Sequence, residues 1–228
     1  MAFTDAGAGN LALHVGDDPV AVRRRRAELE AAAGLGGRSF RYMNQVHGSD
    51  VATIVGSTAA DSAGEGPAAP TADAMVSLTE PLAVLVADCV PMLAADPVNG
   101  VIAAVHAGRR GAADGIALRA LDAMAAAGSR ADQVHVLLGP AICGNCYEVP
   151  AAMRDEVEAA LPGSASTTDR GTPGLDLRAG LARQLRDAGV DSVLVDERCT
   201  YSDLELFSHR RGAPTGRLAG VIWMSKRP

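Results

Sequence analysis

Aromatic side chains make up only 3% of these 228 residues: one tryptophan, three tyrosines and three phenylalanines. A core here has to come from Val, Leu, Ile, Ala and Met. Excess positive charge is lacking too, since 21 basic against 27 acidic residues leave a net charge of −6. Non-specific nucleic-acid binding rests on counterions released by Lys and Arg, so a polyanionic partner has no electrostatic basis. No apolar run approaches the roughly 20 residues that a bilayer-spanning helix needs. Runs such as Leu82–Ala87 are far shorter. The amino terminus, Met1-Ala2-Phe3-Thr4-Asp5, lacks the basic-then-apolar pattern of a secretory signal. Together these absences predict a cytoplasmic chain with neither nucleic acid nor membrane as partner. Thiols stay reduced there, so Cys89, Cys143, Cys146 and Cys199 are read as ligands, nucleophiles or core residues rather than disulfides.

What is present is ordinary for a folded chain, with 48% hydrophobic and 21% charged residues. Pro19–Ala33 reads as a helix, with Asp17 and Asp18 as cap candidates, Pro19 in the first turn and Gly34 as the stop. Its run Arg23–Arg26 spreads around the helix and reads as a solvated surface rather than an anion contact. Ser39–Val46 and Val51–Val55 are strand-like, and Gly56–Thr71 reads as a loop. Leu82–Val86 and Val101–Val105 are short continuous apolar runs, the pattern of strands buried on both faces. Ala112–Ala127, Ala151–Leu161 and Leu177–Ala188 read as helices, and Val134–Leu138, Val193–Val195 and Leu218–Met224 as strands. No repeat or domain boundary interrupts this order. The prediction is one α+β domain over residues 1–228, a mixed sheet covered by helices.

Five histidines are few enough for position to matter. His106 ends the run Val101–Val105, Cys89 follows Leu82–Val86, and His47 follows a predicted strand in Gln45-Val46-His47-Gly48. Ligands gather beyond the carboxyl ends of buried strands, where the backbone leaves a rigid core. Two imidazoles and a thiolate with an open fourth position match a catalytic zinc site. Spacing alone favours a plainer reading, of hydrogen-bonded histidines and a packed cysteine. His14, His135 and His209 have no second ligand candidate close by.

Several stretches together resemble one family, known as the multicopper polyphenol oxidase or laccase-domain family and more recently as purine nucleoside phosphorylase and adenosine deaminase, with peptidoglycan editing factors among its members. They include Asn44-Gln45-Val46-His47-Gly48, Ala72-Asp73-Ala74-Met75-Val76, Ala87-Asp88-Cys89-Val90-Pro91, Val105-His106-Ala107-Gly108-Arg109-Arg110-Gly111, Cys146-Tyr147-Glu148-Val149 and Phe207-Ser208-His209-Arg210. The resemblance implies that His47, Cys89 and His106 are the metal ligands. It also implies a mixed-sheet fold similar to that of the cytotoxic-necrotizing-factor-type cysteine hydrolases. One departure stands out: Arg109 occupies the place of the family's usual Trp, whereas Arg110 matches the family's arginine.

The name laccase fails a count. A four-copper oxidase holds its cluster largely with His-x-His pairs, and this chain has five histidines and no such pair. A His₂Cys site could take one copper in vitro, which leaves polyphenol oxidation as an alternative carried by the name. The reading preferred here is one zinc ion and an enzyme acting on purine nucleosides, by phosphorolysis of inosine or adenosine and by deamination of adenosine. Its partners would be the nucleoside and phosphate, and the chain a monomer or homodimer. Asp88 and Asp73 are the nearest carboxylates for the proton that deamination moves, with Asp88 the catalytic candidate. Asn44, Gln45 and Asp73 are candidates to contact base or sugar. Arg110, ahead of the helix expected from Ala112, is the candidate for phosphate and for catalysis. Two alternatives use the same residues: a hydrolase with Cys89 as nucleophile and His106 as base, cleaving an amide of a peptidoglycan precursor, and a non-enzymatic metal- or nucleoside-binding module. Cys143 and Cys146 have CxxC spacing, but a structural zinc site needs a second pair of ligands, which Cys199 alone does not supply.

Overall fold

The computed structural model describes residues 1–56 and 69–224. Its frame is set by strict two-residue alternation in the apolar runs. In β4 (Leu82–Val86), Leu82, Val84 and Val86 face one core cluster while Ala83 and Leu85 face another. In β6 (Val101–Ala107), Val101, Ala103 and Val105 face one cluster while Ile102 and Ala104 face the opposite one. Each strand is therefore covered on both sides, as continuous apolar runs require.

The remaining strands are β1 (Ala2–Phe3), β2 (Val51–Ile54), β3 (Ala74–Ser77), β5 (Val90–Asp96), β7 (His135–Leu138), β8 (Ala165–Thr167), β9 (Pro173–Leu175), β10 (Ser192–Val195) and β11 (Leu218–Ile222). A six-stranded mixed sheet runs β10-β7-β5-β6-β3-β2, and a three-stranded antiparallel sheet runs β1-β11-β4. The helices are α1 (Pro19–Ala32), α2 (Arg109–Ala113), α3 (Ile116–Ala126), α4 (Ala151–Ala160) and α5 (Leu177–Asp187). Helices α3 and α5 share a core cluster with one face of the large sheet. The other face packs Met75, Leu93, Ile102 and Ala104 against Leu82, Val84, Leu218 and Ile222 of the small sheet. The predicted α+β class with a mixed sheet is the fold observed. Among the described residues no helix is long and apolar enough to cross a membrane.

Four expectations need correction. Ser39–Val46 forms no strand; its β-pairing is limited to isolated bridges at Arg41 and Asn44. The reason is Gln45, whose side-chain amide exchanges two hydrogen bonds with the Leu85 backbone, Nε2 to the carbonyl at 2.7 Å and Oε1 from the N–H at 2.9 Å. A side chain thus takes the place of a strand ladder. The single helix expected over Ala112–Ala127 is two, α2 and α3, broken at Gly115 with φ of 80°. Strand β5, at the centre of the sheet, is not among the expected strands, and it carries Pro91 near its start, a residue that normally argues against a central strand. The Pro91 carbonyl accepts from Gly139 N, so its nitrogen faces the β7 side just beyond the last paired residue, Leu138. The arginine run is also only partly solvated. Arg25 binds Asp17 at 2.6 Å, and Arg26 donates to the Leu11 carbonyl and covers the Tyr42 ring. Most of the predicted Gly56–Thr71 loop, residues 57–68, lies outside the described residues.

Leu93 is fully buried between the two sheets. Replacing it by alanine is expected to cost about 2–5 kcal/mol, read as a lower urea midpoint at unchanged slope.

Candidate metal centre

Three segments from separate parts of the chain meet at one end of the paired sheets. The link Ala87-Asp88-Cys89 carries the chain from β4 in the small sheet to β5 in the large one. So short a crossing puts Asp88 in the left-handed region, φ 85°, and presents Cys89 at the junction. His106 comes from the penultimate position of β6, and His47 from the turn after the Gln45 clamp. His47 too has positive φ, 60°. The ligand atoms of His47, Cys89 and His106 all lie within 4.8 Å of one another, and the two imidazoles meet edge to face at 4.7 Å. This is a possible metal-binding site. Gly108 closes it from behind: a β-carbon there would stand 2.9 Å from His47 Cδ2 and 3.4 Å from Cys89 Sγ, so only glycine leaves room.

One carboxylate fixes two of the three groups. Asp73 is fully buried. Its Oδ1 accepts from His106 Nδ1 at 2.8 Å and from His47 N at 3.0 Å; its Oδ2 accepts from Val46 N at 3.2 Å and Gly48 N at 2.7 Å. Since a carboxylate accepts, Nδ1 of His106 carries the proton and Nε2 is left for the cluster, the carboxylate–histidine arrangement of many metal sites. Burial pushes the Asp73 carboxyl up, but the His106 bond and the backbone N–H donors outweigh it and hold it below the ordinary range. Burial likewise pushes the Cys89 thiol up, yet hydrogen bonds from both imidazoles and their charge bring it down to about 6. Burial lowers His106, but its bonds to Asp73 and Cys89 raise it to about 9. Cys89 therefore stands as thiolate at neutral pH, the form a metal or an electrophile meets.

Beside the cluster opens a cavity of about 290 Å³, near the lower end of the roughly 300–1,000 Å³ typical of small-molecule sites. Its walls include Leu85, Ile142, Tyr147 and Leu177 as apolar surface. Three arginines, Arg109, Arg210 and Arg217, line it together with His14 and His209; the Arg210 guanidinium donates to the Glu148 carbonyl and that of Arg217 to the Thr215 and Gly216 carbonyls. None of the three arginines forms a salt bridge among the described residues. Burial and the cations Arg217 and Arg26 push His14 below the ordinary imidazole range.

The other site residues expected from sequence are distributed differently. Asp88 does line the cavity, but both its oxygens are engaged, accepting from Thr200 Oγ1 at 2.6 Å and Arg210 N at 2.7 Å. Asp73 holds protein donors with all its bonding capacity and has no surface for a substrate. Gln45 reaches the cavity wall with its amide spent on Leu85, and Asn44 is exposed, bonding Thr71 outside the cavity lining. Arg110 is exposed and does not line the cavity; Arg109 does. The helix begins at Arg109, not Ala112, and successive residues turn about 100° around a helix. His14 was missed, having no local pattern to mark it, and Arg217 stood in the family-like stretch Thr215-Gly216-Arg217 without a role. His209 and Arg210 stood in a quoted stretch without an assigned place.

Residues 4–225 match the family described as multi-copper polyphenol oxidoreductase laccase. The chain belongs to this family. Family relatives named purine nucleoside phosphorylase include one from Mycobacterium tuberculosis, 55% identical over 219 residues that span 94% of this chain and 84% of that protein. Another, from Corynebacterium glutamicum, is 48% identical over 95% of this chain and 87% of its own length. The crystal structure of YlmD from Geobacillus stearothermophilus superposes with a TM-score of 0.82 at 32% identity, covering 93% of this chain and 83% of that one.

Two outcomes follow from the hydrogen bonds at Asp73 and Cys89. Asp73→Asn sets an amide N–H against the backbone donors and is expected to weaken metal binding about 10–100-fold, measured by chelator competition. With a chelator present, iodoacetamide should alkylate Cys89 along a curve that rises with pH through about 6 and is flat above it. A midpoint near 9, the ordinary thiol value, would show that the imidazoles do not stabilise the thiolate.

Proposed function

We propose that this chain is a purine nucleoside phosphorylase that also deaminates adenosine, using one zinc ion held by His47, Cys89 and His106. The observation that carries the reading is the set of three arginines without carboxylate partners in the same cavity as the His₂Cys cluster. Guanidinium forks match phosphate oxygens in pairs and bind them with charge-assisted hydrogen bonds. Tyr147 and its aliphatic neighbours give a flat base an apolar wall. The names of the family relatives point the same way.

In phosphorolysis a phosphate oxygen bonds to ribose C1′ while the C1′–N9 bond breaks, its electron pair leaving with the purine, which takes up a proton. Arg109, Arg210 and Arg217 would hold the attacking phosphate and offset its charge. The donor set suits zinc, with two borderline imidazoles and one thiolate, and His106 Nε2 freed by Asp73. A bound zinc ion supplies Lewis acidity and a water of lowered pKa, the chemistry that deamination at C6 calls for. Asp88 is the carboxylate among the cavity-lining residues, held in place by the Thr200 hydroxyl and the Arg210 backbone N–H, and would be the group that shuttles the proton.

A second reading rests on a specific observation. Asp73, His106 and Cys89 are aligned as orienting acid, base and activated thiol, the plan of a thiol hydrolase acting on an amide such as one in a peptidoglycan precursor.

Phosphate dependence separates the two. Inosine with phosphate should give hypoxanthine and ribose 1-phosphate, and adenosine should also give inosine. Chelation should abolish both, and zinc should restore them. Arg217→Ala should raise the phosphate KM about tenfold or more, the equivalent of one lost charge-assisted bond, with the metal content unchanged. Amide cleavage by chelated protein, inhibited by zinc, would replace the nucleoside reading with the hydrolase.

A further inference from the structure

The three cysteines outside the central cluster are brought together. Cys143 and Cys146 lie in the connection between β7 and α4, and Cys199 follows β10. Their sulfurs lie within 4.8 Å of one another. The second pair of ligands that CxxC spacing called for is thus half supplied, by a residue that the fold, not the sequence, makes a neighbour.

The scaffold around them is tied down on every side. Cys146 N and Tyr147 N both donate to the Cys143 carbonyl, at 3.0 and 2.9 Å, closing the CxxC turn. Cys199 bridges to Ala141, and Thr200 N donates to the Ala141 carbonyl. Gly144 is packed so closely that a β-carbon there would lie 2.5 Å from Ser166 Oγ and 3.0 Å from Asp176 Cβ. Cys143 N donates to Cys199 Sγ at 3.3 Å. An N–H aimed at sulfur favours the thiolate, the form that binds metal. The trio is not a packed core remnant: Cys143 and Cys146 are each partly exposed, so an ion has a way in.

We propose that Cys143, Cys146 and Cys199 form a second metal centre, a trithiolate site for a thiophilic cation of the zinc class. Three thiolates with no oxygen or imidazole donor select soft, d¹⁰ ions over magnesium or calcium. The site is separate from the His47–Cys89–His106 cluster but braces its cavity. Ile142 and Tyr147, next to the CxxC pair, line the cavity, and Thr200, next to Cys199, holds Asp88. An ion there would join the two loops that frame the pocket.

The reduced Cys89→Ser variant provides the test, because it removes the one thiol of the central cluster and leaves the trio intact. Added cobalt(II) should bind this variant at one equivalent with an intense sulfur-to-cobalt charge-transfer band. Zinc should displace the cobalt and protect all three remaining thiols from alkylation. Adding Cys146→Ser or Cys199→Ser should weaken cobalt binding at least tenfold and diminish the band. Should those double variants not fold, stoichiometry and thiol protection in Cys89→Ser alone decide the point. The proposal is overturned if Cys89→Ser shows three titratable thiols yet no sulfur-ligated cobalt. A Cys143–Cys146 disulfide that forms in air and, once reduced, still takes up no ion would likewise overturn it, making the trio a redox pair.

Discussion

The Asp73 carboxylate is the interaction on which the site's geometry rests. It has no exposure, and four donors converge on its two oxygens. An ionised carboxylate so deep is tolerable only when its bonding capacity is filled, because an unmet buried charge is severely penalised. Here three of the donors are successive backbone N–H groups, from Val46 to Gly48, which fold around the carboxylate and account for the left-handed backbone of His47. The fourth is the His106 ring. A single side chain therefore sets the backbone of one ligand and the tautomer of another, and its own backbone carbonyl accepts from His106 N.

The sheets supply what that carboxylate cannot, a rigid approach for each segment. Strands β3 and β6 are hydrogen-bonded neighbours, so Asp73, just ahead of β3, and His106, near the end of β6, are held side by side. Strand β5 pairs with β6 so that Pro91 faces His106, which places Cys89 two residues back at the same edge. The crossing from the small sheet to the large one happens at this edge, and Asp88 adopts the strained conformation the crossing requires. Its cost, on the order of 1–3 kcal/mol, is offset by the bonds Asp88 accepts from Thr200 and Arg210.

Local order was legible in the sequence and long-range order was not. The cap of α1 and the paired apolar faces of β4 and β6 follow from residues a few positions apart, and the structure has them where the pattern put them. Pro91 argues against a central strand, and only the three-dimensional neighbourhood shows that its missing N–H faces past the end of β7. The approach of His47, Cys89 and His106 was drawn from strand ends and made firm by family resemblance. The work of Asp73 was not legible, because its partner lies 33 residues away and no local signal separates a carboxylate that meets substrate from one that meets a histidine. Arg110 was the candidate because it matches the family's arginine and precedes the helix expected from Ala112; the helix starts at Arg109, three residues earlier, and a helix turns such an offset into a different face. The same blindness to distance hid Cys199 from Cys143 and Cys146.

Asp88 has a consequence beyond holding a loop. Its carboxylate accepts from the backbone of Arg210, a residue of the cavity lining, while its own left-handed backbone leads directly into Cys89. A ligand that shifts the Arg210 backbone therefore acts, through one hydrogen bond to Asp88 and the peptide bond to Cys89, on the residue that carries the sulfur of the cluster. Thermodynamic linkage makes such a lever work equally in both directions. An ion that tightens the cavity's hold on an anion must itself be held more tightly, by the same factor, when the anion is present.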